Sequence, residues 1–270
     1  MEHLINCPVC GMPISKKQNT YFCVNKHNFD IAKEGYVNML MCNQKNSKNP
    51  GDSKEMLIAR QAFLNGGAYF ELLKVLVSII QTSVLTQTKI VEAGCGEGYY
   101  ISNIKERLPN YNCYGLDISK DAIKMATKRN KEVNFYVASS YKTYIKSQSV
   151  GCILVIFAPF VEQEFSKILD DNGIIVVVKP RQDHLLEIKN CFYSDIYPKE
   201  DANYELFKVV KSYSISYDMD LTEGEIINLF KMTPFYHQVG EELKNNFLIN
   251  PPKTKVKADF LIEVLKKNKK

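Results

Sequence analysis

The sequence predicts an α/β protein whose main domain is a doubly wound, mostly parallel sheet of seven strands, preceded by a small N-terminal module. Two observations predict the sheet. Short apolar segments alternate with amphipathic segments of helical period over most of the chain, and a Gly-x-Gly-x-Gly turn follows the first of these apolar segments. A cluster of three cysteines near the start of the chain predicts the separate module.

The predicted elements follow one another along the chain. Ser53 is placed to cap the first helix, which precedes an amphipathic helix over 69–83. Strands are then predicted over 89–93, 112–116, 133–138, 152–157, 174–179, 206–217 and 255–265, with helices over 100–107, 120–129, 160–169 and 182–191. We therefore expect a module at 1–42, a polar linker at 43–53 and the main domain at 54–270.

Composition narrows the class of protein. The 270 residues are 45% hydrophobic, which suits one large core and a small appendage. No apolar segment reaches the roughly 18–20 residues that span a bilayer, and the N-terminus lacks the pattern of a secretory signal. We therefore expect a cytoplasmic protein without a membrane partner, and its eight cysteines fit a reducing compartment. The net charge of +5 permits an anionic partner such as RNA but does not demand one.

The cysteine cluster has the spacing of a metal site. Cys7, Cys10, Cys23 and His27 form a Cys-x2-Cys-x12-Cys-x3-His motif. Three thiolates and one imidazole are a closed tetrahedral set that suits one structural zinc ion. Because four protein ligands leave no open position for water, this zinc would fold the module and take no part in catalysis. Chance spacing of buried cysteines is the alternative.

The glycine turn predicts the ligand of the main domain. Gly94, Gly96 and Gly98 allow the backbone to touch a ligand, and Asp117 ends the next strand about twenty positions later, where a carboxylate accepts ribose hydroxyls. The spacing differs from the Gly-x-Gly-x-x-Gly dinucleotide fingerprint, and Glu97 would repel a diphosphate but suits a cationic sulfonium. These features are typical of class I S-adenosylmethionine-dependent methyltransferases, with a coincidental glycine turn as the alternative.

Three further strings accompany these motifs. They are Asp-Ile-Ala-Lys-Glu-Gly-Tyr-Val-Asn at 30–38, Pro-Gly-Asp-Ser-Lys-Glu-Met at 50–56 and Met-Thr-Pro-Phe at 232–235. With them, nearly the whole chain resembles the bacterial 23S rRNA guanine-N1 methyltransferases, which join a zinc module to a Rossmann-like class I methyltransferase domain. The resemblance implies methylation of guanine N1 in a hairpin of 23S rRNA and, in some members, tolerance of macrolide-type antibiotics.

The resemblance also implies roles for individual residues. It makes the four residues of the cysteine–histidine motif the zinc ligands and places Tyr69 and His184 at the cofactor. A core aromatic and a helix cap are the alternatives for these two. With the motif residues, the expected cofactor-binding set is Tyr69, Glu92, Gly94, Gly96, Glu97, Gly98, Asp117 and His184.

The chain departs from the family pattern in three places. Glu92 stands where motif I usually has aspartate, so we expect cofactor binding to persist with slightly altered geometry. Phe157 begins a Phe-Ala-Pro string where Tyr-Ala-Pro is more usual, which removes a phenol. Gln182 and Asp183 also differ from common members, so the guanine pocket is less defined than the cofactor pocket.

Transfer of the methyl group to guanine N1 needs a base that is out of its stack and an acceptor for the N1 proton. Phe157, Pro159 and Phe160 follow the fourth strand at the expected substrate mouth and are candidates to hold the base, with core packing as the alternative for Phe157. Glu162 and Asp183 are the candidate catalytic bases.

The expected partner is a 23S rRNA hairpin or a precursor of the large ribosomal subunit, and a homodimer is left open. Exposed lysines would contact phosphate through the module, at Lys16, Lys17 and Lys26, and through the C-terminus, at Lys253, Lys255, Lys257, Lys266, Lys267, Lys269 and Lys270. A solvated tail is the alternative for the terminal lysines. Two other functions remain open: methylation of a small molecule, and RNA or ribosome binding without catalysis.

Overall fold

The computed structural model describes residues 4–41, 51–193, 203–252 and 255–268. Residues 43–50, which form most of the predicted linker and include Lys45 and Lys48, lie outside the described residues. Cys42, Lys253, Lys269 and Lys270 lie outside them too. The named strands of the described part belong to two sheets, a small antiparallel one in the N-terminal module and a large mixed one in the main domain.

The residues around 18–23, where strand-like and aromatic side chains predict a β-hairpin that carries the second ligand pair, belong to the small sheet. Its strands are β1 (Ile14–Lys17), β2 (Thr20–Cys23) and β3 (Asn28–Asp30), all antiparallel. The connection between β1 and β2 has two residues, and Gln18 adopts a φ of +53° there. Such a left-handed residue is typical of the tightest hairpin turns.

The large sheet has eight strands in the spatial order β10-β11-β9-β8-β5-β6-β7-β4. They are β4 (Val37–Asn38), β5 (Lys89–Ala93), β6 (Asn112–Asp117), β7 (Asn134–Val137), β8 (Val150–Ile156), β9 (Leu169–Pro180), β10 (Phe207–Met219) and β11 (Val256–Lys267). The helices of the described residues are α1 (Lys54–Asn65), α2 (Phe70–Ser83), α3 (Tyr99–Arg107), α4 (Lys120–Arg129), α5 (Glu162–Ile168), α6 (Leu186–Lys189), α7 (Glu223–Lys231), α8 (Phe235–Gln238) and α9 (Glu241–Ile249).

The predicted fold class is confirmed, with one more strand than predicted. All seven predicted strands are present, and the sheet is parallel except where β11 runs antiparallel to β9 and β10. The eighth strand, β4, pairs in parallel with the edge of β7 through Val37 and Asn38. Two residues are too few to show a strand period, and their pairing depends on the open edge of β7, so the sequence pattern could not reveal β4.

The predicted helices are present with one shortened, and one helical region was missed. The expected helix over 182–191 is reduced to the single turn α6, while α7, α8 and α9 lie between the last two strands, where no helix was predicted. A sequence signal for α7 exists. Thr222 and Glu225 form a capping box in which each side chain hydrogen-bonds the other residue's backbone N–H.

The sheet separates two hydrophobic clusters, because successive residues of a strand point to opposite faces. Ile90 of β5 belongs to one cluster and Val91 to the other, and both side chains are fully buried. The second cluster continues into the N-terminal module and includes Leu4, Ile5, Cys7, Ile14, Tyr21 and Cys23. The module is therefore packed on one face of the large sheet and shares its core.

In the described part of the chain, no single helix is both long and apolar enough to span a bilayer. The pair α1 and α2 passes such a test by length and composition only when the two are counted together, and an 80° bend separates them.

Candidate functional site

Four side chains of the N-terminal module converge as the sequence predicts. The ligand atoms of Cys7, Cys10, Cys23 and His27 all lie within 4.8 Å of one another. Nδ1 of His27 is 3.6 Å from Sγ of Cys7 and 3.3 Å from Sγ of Cys23, and the Sγ atoms of Cys10 and Cys23 are 3.7 Å apart. Tetrahedral zinc with ordinary bond lengths places its ligand atoms roughly 3.5–3.8 Å apart. The cluster therefore fits one zinc ion, with His27 binding through Nδ1.

Tight turns bring these ligands together. The N–H of Gly11 donates to the carbonyl of Cys7 at 2.8 Å, and Gly11 has a φ of +73°. A backbone hydrogen bond from Met12 lowers the pKa of the Cys10 thiol to about 6, which favours the thiolate that a metal needs. In the second half, the N–H of Lys26 donates to the carbonyl of Cys23 at 3.0 Å. Each half is thus a closed knuckle set by local backbone geometry.

The glycine turn joins β5 to α3 with positive φ at each glycine: +75° at Gly94, +54° at Gly96 and +81° at Gly98. A Cβ at Gly94 would lie 2.7 Å from Cβ of Ala158, and one at Gly98 would lie 2.8 Å from Cβ of Ala126. Neither neighbour has a flexible side chain that could move away. Glycine is therefore required at both positions, by conformation and by space.

Glu92 stabilises this turn from its buried side. Its carboxylate is 2% exposed, and Oε2 accepts the backbone N–H of Ile101 at 2.9 Å. Ile101 is the third residue of α3, and the N-cap of that helix is Gly98, which has no side chain. The carboxylate supplies the capping hydrogen bond that glycine cannot. Burial raises the pKa of Glu92, and the hydrogen bond from Ile101 opposes that rise.

Asp117 holds the opposite side of the turn. Its Oδ2 accepts the N–H of Gly96 at 2.8 Å, and its Oδ1 accepts the N–H of Ser119 at 2.8 Å. Burial raises the pKa of Asp117, while these two backbone hydrogen bonds lower it. A carboxylate oxygen has a second acceptor site, so both oxygens can also accept ribose hydroxyls, which fits the predicted role.

Glu97 is enclosed by the protein. Its side chain is 1% exposed and forms an ion pair with Arg129, whose Nε donates to Oε2 at 2.9 Å. Nη1 of Arg129 also donates to Oδ1 of Asn65 at 2.9 Å. Burial raises the pKa of Glu97, and Arg129 opposes that rise. Glu97 thus joins the turn to α4 and α1, and in this arrangement its carboxylate charge is matched by Arg129.

Tyr69 and His184 meet in a cluster of four aromatic rings beyond β8 and β9. The ring of Tyr69 packs edge-on against Phe260 with centroids 5.0 Å apart, and His184 lies 4.7 Å from Phe260. Phe157 is nearly parallel to His184, at 13° and 6.4 Å between centroids. The structure therefore brings together two predicted cofactor residues and one predicted base-binding residue. The sequence analysis did not identify Phe260, which β11 contributes from more than 100 residues away from β8.

The hydrogen bonds of His184 define its tautomer. Nδ1 accepts the backbone N–H of Asp259 at 3.2 Å, so the proton of the neutral ring is on Nε2, which lies 3.4 Å from the Tyr69 hydroxyl. Burial lowers the pKa of His184 to about 3, with a smaller contribution from Lys189. The ring is consequently neutral at pH 7 and donates to Tyr69.

Phe157 has an unusual backbone. It follows β8 directly, adopts a φ of +53° and leaves 44% of its surface exposed. A bulky side chain seldom adopts this conformation, which costs about 1–3 kcal/mol, and such residues concentrate at functional sites. The strain holds an apolar ring at the carboxyl end of the sheet, where open α/β folds bind ligands.

The other predicted substrate residues are dispersed. Phe160 packs against Tyr204, 5.0 Å away, in a separate group of rings, while Pro159 is exposed. Glu162 accepts the backbone N–H of Leu206 at 2.6 Å. Asp183 is exposed and directly precedes His184 in the aromatic cluster.

A cleft of about 750 Å³ opens at the carboxyl ends of β4, β6 and β7. Its walls include Ile118 and Ser119, which follow Asp117, and His237 from α8. A volume of this size suits a ligand such as a nucleoside derivative. The sequence analysis identified none of these three wall residues, because α8 and the end of β6 meet only in the folded chain.

Comparisons with known proteins agree with this geometry. A family profile described as "RlmA, N-terminal", a zinc ribbon, matches residues 5–48, and one described as "Methyltransferase domain" matches residues 90–172. A 23S rRNA (guanine(748)-N(1))-methyltransferase of Streptomyces fradiae is 30% identical over 187 residues, which span 68% of this chain and 66% of that protein. Proteins described as 23S rRNA (guanine-N1)-methyltransferases from Micromonospora griseorubida and Bacillus subtilis are each 26% identical, over 87% and 86% of this chain and 86% of each relative.

The fold, the glycine turn and the matched domain define an S-adenosylmethionine-dependent methyltransferase of class I. The Cys3His cluster lies in the matched ribbon and supplies a second, independent feature. The chain thus combines an RlmA-type zinc ribbon with a class I methyltransferase domain, and its homologues are 23S rRNA guanine-N1 methyltransferases.

Removal of one zinc ligand should remove the metal. We expect one zinc ion per chain in the purified protein and close to none in Cys23→Ser, since three ligands hold zinc far more weakly than four. The measurement is elemental analysis by mass spectrometry. Cys191→Ser is the control, because Cys191 is exposed and outside the cluster. Full zinc content in Cys23→Ser would refute the assignment.

Neutral His184 should make folding stability depend on pH. The unfolded chain binds a proton below pH ~6.5, whereas folded His184 stays neutral down to about pH 3, so its contribution is complete above pH 6.5 and is lost as the pH falls towards 3. Between pH 7.5 and 5 this loss is about 2 kcal/mol. Urea unfolding at both pH values should show a larger loss in the wild type than in His184→Gln. Equal losses would contradict the neutral, buried ring.

Proposed function

We propose that this protein transfers the methyl group of S-adenosylmethionine to N1 of a guanine in a hairpin of 23S rRNA. The observation that carries the proposal is the strained, exposed ring of Phe157, which stacks beside His184 next to the cofactor turn. The three homologues are named for the same reaction, which supports the proposal. Naked rRNA and a precursor of the large ribosomal subunit are the two alternative substrates.

The residues around the turn fit the cofactor. Gly94 and Gly98 keep the backbone free of side chains on the turn, and Asp117 presents acceptors for a ribose diol. When bound, S-adenosylmethionine supplies an electrophilic methyl group on a sulfonium. Glu92 holds the turn in shape through its hydrogen bond from the N–H of Ile101.

The aromatic cluster suits an extruded base. Guanine N1 lies on the Watson–Crick edge, so it is accessible only when the base is unpaired or flipped out of its stack. Phe157 offers an exposed apolar face to such a base, and base–aromatic stacking contributes roughly 1–3 kcal/mol. Neutral His184 and Tyr69 form the wall behind that face, and neither adds a positive charge that would repel the sulfonium.

Proton removal from N1 completes the reaction. As the carbon–nitrogen bond forms and the carbon–sulfur bond breaks, the N1 proton must pass to a base or to water, and S-adenosylhomocysteine remains. Asp183 is exposed beside the aromatic cluster, whereas the Glu162 carboxylate already accepts the N–H of Leu206. This difference favours Asp183 over Glu162 as the proton acceptor.

The exposed lysines of the zinc ribbon support a role for this module in RNA binding. Lys16, Lys17 and Lys26 are exposed on it, and positive charge along such a surface attracts phosphate without regard to sequence. The ribbon shares its core with the main domain, so these lysines have a fixed position relative to the site. Selection would then come from the shape of the hairpin and from the extruded guanine.

Methyl transfer should stop reverse transcription at one guanine. We expect incorporation of labelled methyl into unmodified 23S rRNA, or into precursors of the large subunit, and one strong stop in primer extension, because a methyl at N1 blocks pairing. A heat-inactivated enzyme is the control. Label without a stop would place the methyl away from the pairing edge. No label with either RNA substrate, despite cofactor binding, would favour a small-molecule substrate or RNA binding without catalysis.

The two candidate bases should respond differently to amide substitution. Asp183→Asn should reduce turnover about 100-fold, within the usual range for loss of a general base, and leave the Kd for S-adenosylmethionine unchanged. Glu162→Gln is the matched comparison and should have a much smaller effect, since its carbonyl can still accept from Leu206. Unchanged turnover in both variants would exclude both residues as the base.

A further inference from the structure

Arg60 lies against the glycine turn on α1. Its Nη1 is the nearest atom to the position that a Cβ would take at Gly96, at 3.2 Å. Glycine turns of this kind leave that side open so that a ligand can approach the backbone. The guanidinium is therefore located at the face of the turn that the cofactor would contact, although Arg60 belongs to none of the motifs that define the site.

The guanidinium of Arg60 links three separate segments. It forms an ion pair with Asp52, and the two side chains are 27% and 33% exposed. Its Nη2 lies 3.5 Å from the carbonyl of Met232, at the end of α7. Both Arg60 and Asp52 also act on the Asp117 carboxyl, whose pKa Arg60 lowers and Asp52 raises. The pair thus borders both the turn and the proposed ribose site.

Charge balance gives Arg60 a specific task. Three acidic side chains border the turn: Asp117 accepts the N–H of Gly96, Glu97 pairs with Arg129, and burial raises the pKa of Glu92. The carboxylate of the cofactor's amino acid needs a cation. Arg129 is bound to the buried Glu97 and to Asn65, whereas Arg60 pairs with Asp52, which is itself partly exposed and can be displaced by a ligand. A guanidinium also matches a carboxylate in shape and can donate two parallel hydrogen bonds.

We propose that Arg60 binds the α-carboxylate of S-adenosylmethionine and exchanges Asp52 for that ligand. This inference rests on cofactor use and not on the proposed RNA target, since it concerns binding without RNA.

Asp52 is held where this exchange can occur. The preceding Gly51 has a φ of +88°, and a Cβ there would lie 2.9 Å from Cβ of Ser119. This segment therefore packs directly against Ser119, just beyond the end of β6. Gly51, Asp52 and Ser53 all line the cleft. Ser53 then caps α1 by accepting the N–H of Met56 at 3.2 Å. Asp52 is thus fixed just before the N-cap of α1, and Arg60 is the seventh residue of the same helix.

The test compares two ligands that differ only in the carboxylate. Calorimetry would give the Kd of the full chain for S-adenosylhomocysteine and for decarboxylated S-adenosylhomocysteine. The wild type should bind the first about 10- to 100-fold more tightly, as expected for charged hydrogen bonds. In Arg60→Gln this preference should fall below about threefold, and Arg60→Lys should lie between the two.

Two further variants complete the test. Asp52→Asn should strengthen binding of S-adenosylhomocysteine, because it removes the competing carboxylate. Lys231→Gln is the control: Lys231 pairs with Glu55, 2.9 Å away, at the same junction of α1 and α7, and its loss should keep the full preference. If Arg60→Gln weakens the binding of both ligands equally, and Arg60→Lys does the same, Arg60 has only a structural role and the proposal is overturned. Wild-type protein that binds neither ligand would overturn cofactor use itself.

Discussion

Two carboxylates, the buried one of Glu92 and the half-buried one of Asp117, hold the β5–α3 turn, and the arrangement of the site depends on them. Glu92 accepts the N–H of Ile101 on the inner side, and Asp117 accepts the N–H of Gly96 at the outer side. Because both bonds are made to backbone N–H groups, they fix the path of the chain through the turn. Gly94 and Gly98 can then pack against neighbouring helices and loops without a Cβ, which brings the motif residues within reach of one ligand.

The electrostatic character of the site follows from burial. Burial disfavours the charged forms of Glu92 and Asp117 at the turn, and the ring cluster beyond β8 and β9 is neutral because burial keeps His184 unprotonated at pH 7. Phe157 belongs to this ring cluster, and its strained backbone shows that the surrounding structure stabilises an otherwise costly position.

The zinc ribbon is more than an appended metal site. Leu4, Ile5 and Ile14 belong to the same hydrophobic cluster as the large sheet, and the N–H of Asn6 donates to the carbonyl of Tyr144 at 2.8 Å. β4 then adds the end of the module to the sheet itself. Zinc would order the two ligand knuckles, while the remaining stability of the module comes from apolar surface that it buries against its neighbour. This docking gives the ribbon a defined orientation.

The sequence by itself determined the seven main strands, the fold class and the four clustered metal ligands, because these depend on local periodicity and on fixed spacing. It also indicated the turn between Gly94 and Gly98, because backbone positions with positive φ favour glycine and the spaced glycines are visible in the sequence. Only the tertiary structure decided which side chains share the site. Phe260 and Arg60 come from distant elements, and no local pattern distinguishes either from an ordinary core or surface residue. Their roles arise from packing across the sheet and against the turn, which depends on contacts between segments that are far apart in the chain.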